Sequence, residues 1–224
     1  ALYAGTQRIV SLQQAIARLG FQEIRKISLS IAIINSFKNS FIDYEKFWLH
    51  SITTAYITVN LAKRTKTKID EEEIFSSALL HDVGVLILDQ YFGGLYKKVF
   101  DIAAKKKFDL QIVEQKILGI THAEVAAILL KKWRLPDSII NVILNHHTPQ
   151  NSPSEQLQMT QFVYLANFIS NNRGIDNGTG FFPEQFYDDI WEDLNLSVDD
   201  IPDILDSIED ELKHAKELLR IGGR

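Results

Sequence analysis

The sequence predicts an all-α protein, a bundle of about 9 to 11 helices. Apolar residues recur at three- and four-residue spacing through nearly every segment. Ser, Thr or Asp caps stand before those runs, and Gly or Pro follows them. No hairpin signal separates neighbouring runs, so even the β-branched Ile31-Ala32-Ile33-Ile34 reads as helix.

Ser11-Leu12-Gln13-Gln14 forms a capping box that opens a helix closed by Gly20, and Phe21 begins another with Ile24, Ile27, Ile31 and Ile34 on one face. Asp43 caps a long helix to about Lys66, whose face of Phe47, His50, Thr54, Leu61 and Ala62 turns inward. Taken by itself, His50 reads as a hydrogen-bonded core histidine rather than a ligand. Asp70 with Glu73 caps a helix that buries Ile74, Phe75, Ala78 and Leu79 and reaches His81-Asp82. Gly84 is expected to loosen or bend it, and Gly93-Gly94 to end the next one.

Asp109 caps a helix stopped by Gly119, and Thr121 with Glu124 caps the following one, placing His122 in its first turn. Pro136 breaks the chain before a helix from Asp137 that carries Val142, Ile143 and the terminal pair His146-His147. Pro153 and Ser154 lead into a helix over about 156–171, with Asn167 beside the core face of Phe162, Leu165, Ala166 and Ile169. Residues 172–182 read as a loop rich in glycine and asparagine. Its Gly178-Thr179-Gly180 lacks the preceding strand and following lysine of a phosphate loop. Pro183 starts an acidic helix, and Ser197 caps a last one to about Leu219. Residues 1–171 thus read as one helical domain, with 172–224 a loop and acidic helices packed on it.

Composition narrows the function. Among 224 residues, 46% are apolar and 24% charged, and cysteine is absent, which excludes a disulfide framework, a thiolate nucleophile and a Cys-type zinc site. That usage fits a reducing cytoplasm. No apolar run approaches the roughly 20 residues of a membrane span. The net charge of −5 divides unevenly: residues 181–224 carry 13 acids and 4 bases, and no Lys or Arg lies between Phe181 and Leu212. This stretch is a solvated acidic face or a surface for a basic protein partner. The remaining positive excess is small and scattered, which disfavours direct nucleic-acid binding.

The chemistry gathers at Ala78-Leu79-Leu80-His81-Asp82-Val83-Gly84. Adjacent helix positions diverge by about 100°, so His81 and Asp82 can share one metal ion only if other helices supply further ligands. His50, His122, His146-His147 and Asn167 each fall on a separate helix or helix end, leaving only His214 outside the set.

These motifs, with Phe47-Trp48-Leu49-His50-Ser51, Leu118-Gly119-Ile120-Thr121-His122-Ala123-Glu124-Val125 and Trp133-Arg134-Leu135-Pro136, occur in an order that resembles the HDOD (HD-related output domain) family of the HD superfamily. The likeness covers roughly residues 1–171 and implies an HD-domain-like helical bundle. In that family Ala1-Leu2-Tyr3-Ala4-Gly5 follows an N-terminal helical lobe, so the resemblance implies that the lobe is absent from this chain.

By resemblance to the catalytic HD phosphohydrolases, His50, His81 and Asp82 correspond to metal ligands, and Asn167 stands where those enzymes have an Asp. An amide oxygen is a weaker, neutral ligand. The HD-GYP phosphodiesterases add histidines that correspond to His122, His146 and His147. Here, however, the lysine after their His-Asp-Ile-Gly is Val85, and their Gly-Tyr-Pro loop is replaced by Thr148-Pro149-Gln150. The resemblance therefore implies a non-catalytic signalling module with protein partners and a degenerate site of His50, His81, Asp82, His122, His146, His147 and Asn167 for a divalent metal (Fe, Mn, Zn or Ni). No residue is assigned as catalytic. The alternatives are a metal-dependent phosphohydrolase and a cluster of histidines that merely hydrogen-bond across the core.

Overall fold

The structure is a computed structural model and describes residues 41–177 and 186–222. The helices expected over residues 11–20 and from Phe21, the Gly178-Thr179-Gly180 stretch and the helix start at Pro183 lie outside them. The described residues form ten α-helical segments and two 3-10 turns, with no strand.

The central helix is α1 (Tyr44–Arg64). The Asp43 carboxylate accepts from the Lys46 N–H at its start, and Phe47, Trp48, Ala55, Ile57 and Leu61 are fully buried. Each large apolar side chain so enclosed contributes about 1.5–3 kcal/mol. Helix α2 (Glu71–Leu80) packs against α1, capped by Asp70 through the Glu72 and Glu73 N–H groups. Glu73, expected to complete that cap, instead accepts from the Ser138 hydroxyl.

Helix α2 ends at Leu80, and α3 (Val83–Lys106) starts after Asp82, whose backbone leaves the helical region (φ −100°, ψ 4°). The break therefore falls at the His-Asp pair and not at Gly84, which lies in the first turn of α3. A methyl group at Gly84 would sit 1.8 Å from the His122 carbonyl oxygen, so this glycine serves close packing of two backbones. At Gly93-Gly94 the break falls where expected: Gly93 (φ +23°, ψ −95°) leaves the helical region and divides α3 into two helical stretches.

Next come α4 (Leu110–Leu118), ended by Gly119, and α5 (His122–Lys132), opened by a reciprocal Thr121/Glu124 capping box. Helix α6 (Asp137–Asn145) stops at the histidine pair, and a 3-10 turn at Pro149–Asn151 leads to α7 (Ser154–Asn172). Helix α7 lies along α1, joined to it by the Thr54 hydroxyl donating to Ser170 Oγ at 3.1 Å.

The acidic C-terminal part contains α8 (Ile190–Asp193), a 3-10 turn (Val198–Asp200) capped by Ser197, α9 (Ile201–Ser207) and α10 (Glu209–Gly222). The single last helix expected here is divided, because Ile208 leaves the helical region (φ −109°, ψ 5°). Helices α9 and α10 pack on α1, and Arg64 donates to Asp200 and Asp203 at 2.9 Å each. Gln161 of α7 reaches Asp193 at 2.7 Å.

Candidate metal centre

The break between α2 and α3 turns the Asp82 carboxylate into the interior beside His81, and three further chain segments bring imidazoles to it. Its two oxygens face different groups. Asp82 Oδ2 lies 3.1 Å from His81 Nε2 and 3.7 Å from His50 Nε2. Asp82 Oδ1 lies 3.4 Å from His146 Nε2 and 3.5 Å from His122 Nε2. His147 joins the second group, its Nε2 being 2.9 Å from His122 Nε2. Two ligand sets sharing one carboxylate result: His50, His81 and Asp82, and Asp82, His122, His146 and His147.

The outer ring nitrogens decide what these imidazoles can do. His50 Nδ1 donates to the Ile175 carbonyl (2.7 Å), His81 Nδ1 to Ala78 (2.7 Å), and His146 Nδ1 to Ile143 (2.6 Å). His122 Nδ1 donates to the buried Glu114 carboxylate at 2.8 Å. A neutral imidazole carries one N–H, so with Nδ1 donating to a carbonyl the Nε2 atoms of His50, His81 and His146 are left to present a lone pair toward Asp82. Lone pairs facing a carboxylate favour a cation between them, and His146 Nε2 is buried with no hydrogen-bond partner. The separations fit a metal. Two donors each about 2.1 Å from one ion lie about 3.0–3.4 Å apart, and the distances found run from 2.9 to 3.7 Å.

The electrostatics point the same way. Burial opposes ionisation of Asp82, but His81 and His146 outweigh it and hold the carboxyl well below its usual range. Burial, with His81 beside it, lowers His50 to about 4, and burial with His146 and His122 pulls His147 well down. His122 goes the other way: burial would lower it, but the Glu114 carboxylate lifts it to about 9. His50, His146 and His147 thus stay neutral at pH 7 and available to a metal, while His122 would give up a proton to bind one.

Two residues that sequence reasoning missed complete the surroundings. Glu114, fully buried on α4, accepts from the His122 backbone N–H and ring and from the Tyr96 hydroxyl. Its signal was available: with Leu110 and Val113 it stands on the apolar face of α4, where a carboxylate needs partners. Asn177 donates to Asp82 Oδ2 at 2.7 Å. It comes from the segment after α7, where Gly174 adopts a left-handed conformation (φ +75°) and turns the chain so that Ile175 N–H bonds back to Ser170. No periodic pattern marks that stretch.

The structure brings together His50, His81, Asp82, His122, His146 and His147. Asn167 Oδ1 accepts from Asn171 Nδ2 one turn on at 2.9 Å. Part-exposed His147 opens onto a cleft of about 530 Å³ lined by Phe108, Asp109, Gln111, Tyr164 and Tyr187 among others.

Comparison with known proteins places this geometry. Among solved structures, an HDOD domain protein with unknown function from Geobacter sulfurreducens has a TM-score of 0.78 at 23% identity, over 96% of this chain and 77% of that one. A protein of Marinobacter aquaeolei VT8, provisionally named a signal transduction protein, has a TM-score of 0.77 at 22% identity, over 100% of this chain and 49% of that one. One from Shewanella amazonensis SB2B, provisionally named a phosphohydrolase, has a TM-score of 0.70 at 20% identity, over 95% and 78% of the two chains. At these identities the likeness shows the fold. An uncharacterized protein of Treponema pallidum (strain Nichols) is 23% identical over 167 residues, 75% of this chain, which spans 33% of that relative's length. The HDOD domain family model matches residues 1–149, and the chain belongs to that family.

Proposed function

We propose that this protein is a non-catalytic signalling module whose His/Asp centre holds divalent metal and passes its occupancy to a protein partner. The carrying observation is the set of Nε2 atoms turned on Asp82, with His146 Nε2 left without a partner. Imidazole with one carboxylate suits Fe, Mn, Zn or Ni. A bound ion would supply the positive charge that the facing lone pairs lack. Ile143, Ala78, Ile175 and Glu114 orient the four rings through their outer nitrogens, as the hydrogen-bond partners of metal-binding histidines do.

Three features support the absence of turnover. Val85 is fully buried where the resembling phosphodiesterases place a lysine, a short 3-10 turn at Pro149–Asn151 follows the histidine pair, and an amide stands at Asn167. The acidic C-terminal helices suit a basic protein surface, and direct nucleic-acid binding is not part of the reading. No helix among the described residues is long and apolar enough to cross a membrane, and a cytoplasmic location belongs to the same proposal.

One observation favours hydrolysis of a phosphoester as a second reading: the cleft that reaches His147 is large enough for a small ligand. Metal content by mass spectrometry, measured beside turnover of bis(p-nitrophenyl) phosphate and a cyclic dinucleotide, separates the two. Stoichiometric metal without turnover is expected. Turnover abolished by His81→Ala would establish the second reading, and a protein that takes up no metal on reconstitution would overturn both.

A further inference from the structure

We infer that Asn177, rather than Asn167, supplies the amide oxygen that completes the His50/His81/Asp82 half of the centre when a divalent cation binds. The inference rests on the metal-holding reading above. Asn177 reaches the oxygen of Asp82 that faces His50 and His81, with its Nδ2 2.7 Å from Oδ2. That separation is about the edge of a coordination polyhedron around an ion with oxygen ligands near 2.1 Å. The amide group lies against a set that otherwise has three ligands. Hard divalent cations take additional oxygen donors readily.

The two ends of a primary amide have nearly the same shape, and a half-turn about Cβ–Cγ exchanges donor for acceptor. Asp82 is an acceptor, and Asn177 meets it with N–H. With a cation present, the same position calls for an oxygen, and the half-turn provides it without moving the backbone. The backbone there is anchored: the Ile175 carbonyl, two residues earlier, holds His50 Nδ1 at 2.7 Å. One short segment thus orients one ligand and carries another. Asn167 is placed differently, its Oδ1 taken by Asn171 Nδ2.

The test uses the full 224-residue chain, stripped with a chelator and titrated with Mn²⁺, free ion being followed by electron paramagnetic resonance. Asn177→Ala is expected to weaken one class of site about tenfold or more, and Asn177→Asp to tighten it, because a carboxylate adds charge. Asn167→Ala is expected to leave the affinity within about twofold. An unchanged affinity in Asn177→Ala, or a larger loss in Asn167→Ala, overturns the inference. Should Asn177→Ala fail to fold, Asn177→Asp decides, and no gain in affinity overturns it. If the wild-type chain binds no Mn²⁺, Co²⁺ or Zn²⁺, the metal-holding reading fails first. Wild-type binding with indifferent Asn177 variants removes this inference alone.

Discussion

The two halves of the centre share Asp82 and differ in almost everything else. The His50/His81 half is sealed: both rings are fully buried, their outer nitrogens bond backbone carbonyls, and residues 175–177 close over them. The His122/His146/His147 half is braced by a buried charge, Glu114, and opens through His147 to the cleft. Burial and the neighbouring His81 lower His50 because its carbonyl partner offsets them too little, whereas at His122 the Glu114 carboxylate outweighs burial and raises the ring. Concealment and access are thus combined around one carboxylate. The sealed half suits a retained ion, and the open half suits exchange with solution.

The largest expected effect strikes both halves. Gly84→Ala would drive a methyl group into the His122 carbonyl, so the α3 and α5 backbones must separate. A loss of about 3 kcal/mol or more is expected, read as a lowered denaturant midpoint together with loss of all bound metal. Full stability would break the claim that this contact sets the spacing of the halves. Next, Glu114→Gln should separate them. Three donors now meet two carboxylate oxygens, and an amide leaves one donor unsatisfied at about 1–3 kcal/mol. Metal affinity of the open half should fall about 10- to 100-fold while the sealed half is retained, so a titration should show one tight equivalent.

A smaller effect concerns access. In metal-free protein, diethylpyrocarbonate followed by peptide mass spectrometry should modify His147 ahead of His50, His81 and His146. Equal rates among the four would show that the halves do not differ in exposure. The smallest expected effect is that of Thr121→Ala, which removes the capping box at the start of the helix carrying His122. A cost of about 1 kcal/mol is expected in equilibrium unfolding, with weakened metal binding confined to the open half.

Much of the scaffold is legible in the chain itself. The caps at Asp43, Asp70, Asp109 and Thr121 and the stop at Gly119 depend on contacts within a few residues, so the chain displays them locally. The same holds for the inward faces of α1 and α7. The break at Gly93 is equally local, since its backbone leaves the helical region. Gly84 resists such reading because its role leaves no mark on the local apolar spacing: it makes room for the His122 carbonyl, which belongs to another helix.

By itself the amino-acid sequence determined the helical class, most helix boundaries and the six side chains His50, His81, Asp82, His122, His146 and His147. Helical periodicity and metal-ligand chemistry are properties of residue type and short-range spacing. Tertiary structure alone decided that Asp82 divides its oxygens between two sets, that Glu114 stands behind His122, and that Asn177 touches the carboxylate. Those outcomes depend on where loops return across long separations in the chain, and the direction of a returning loop is set by the packing of the whole molecule.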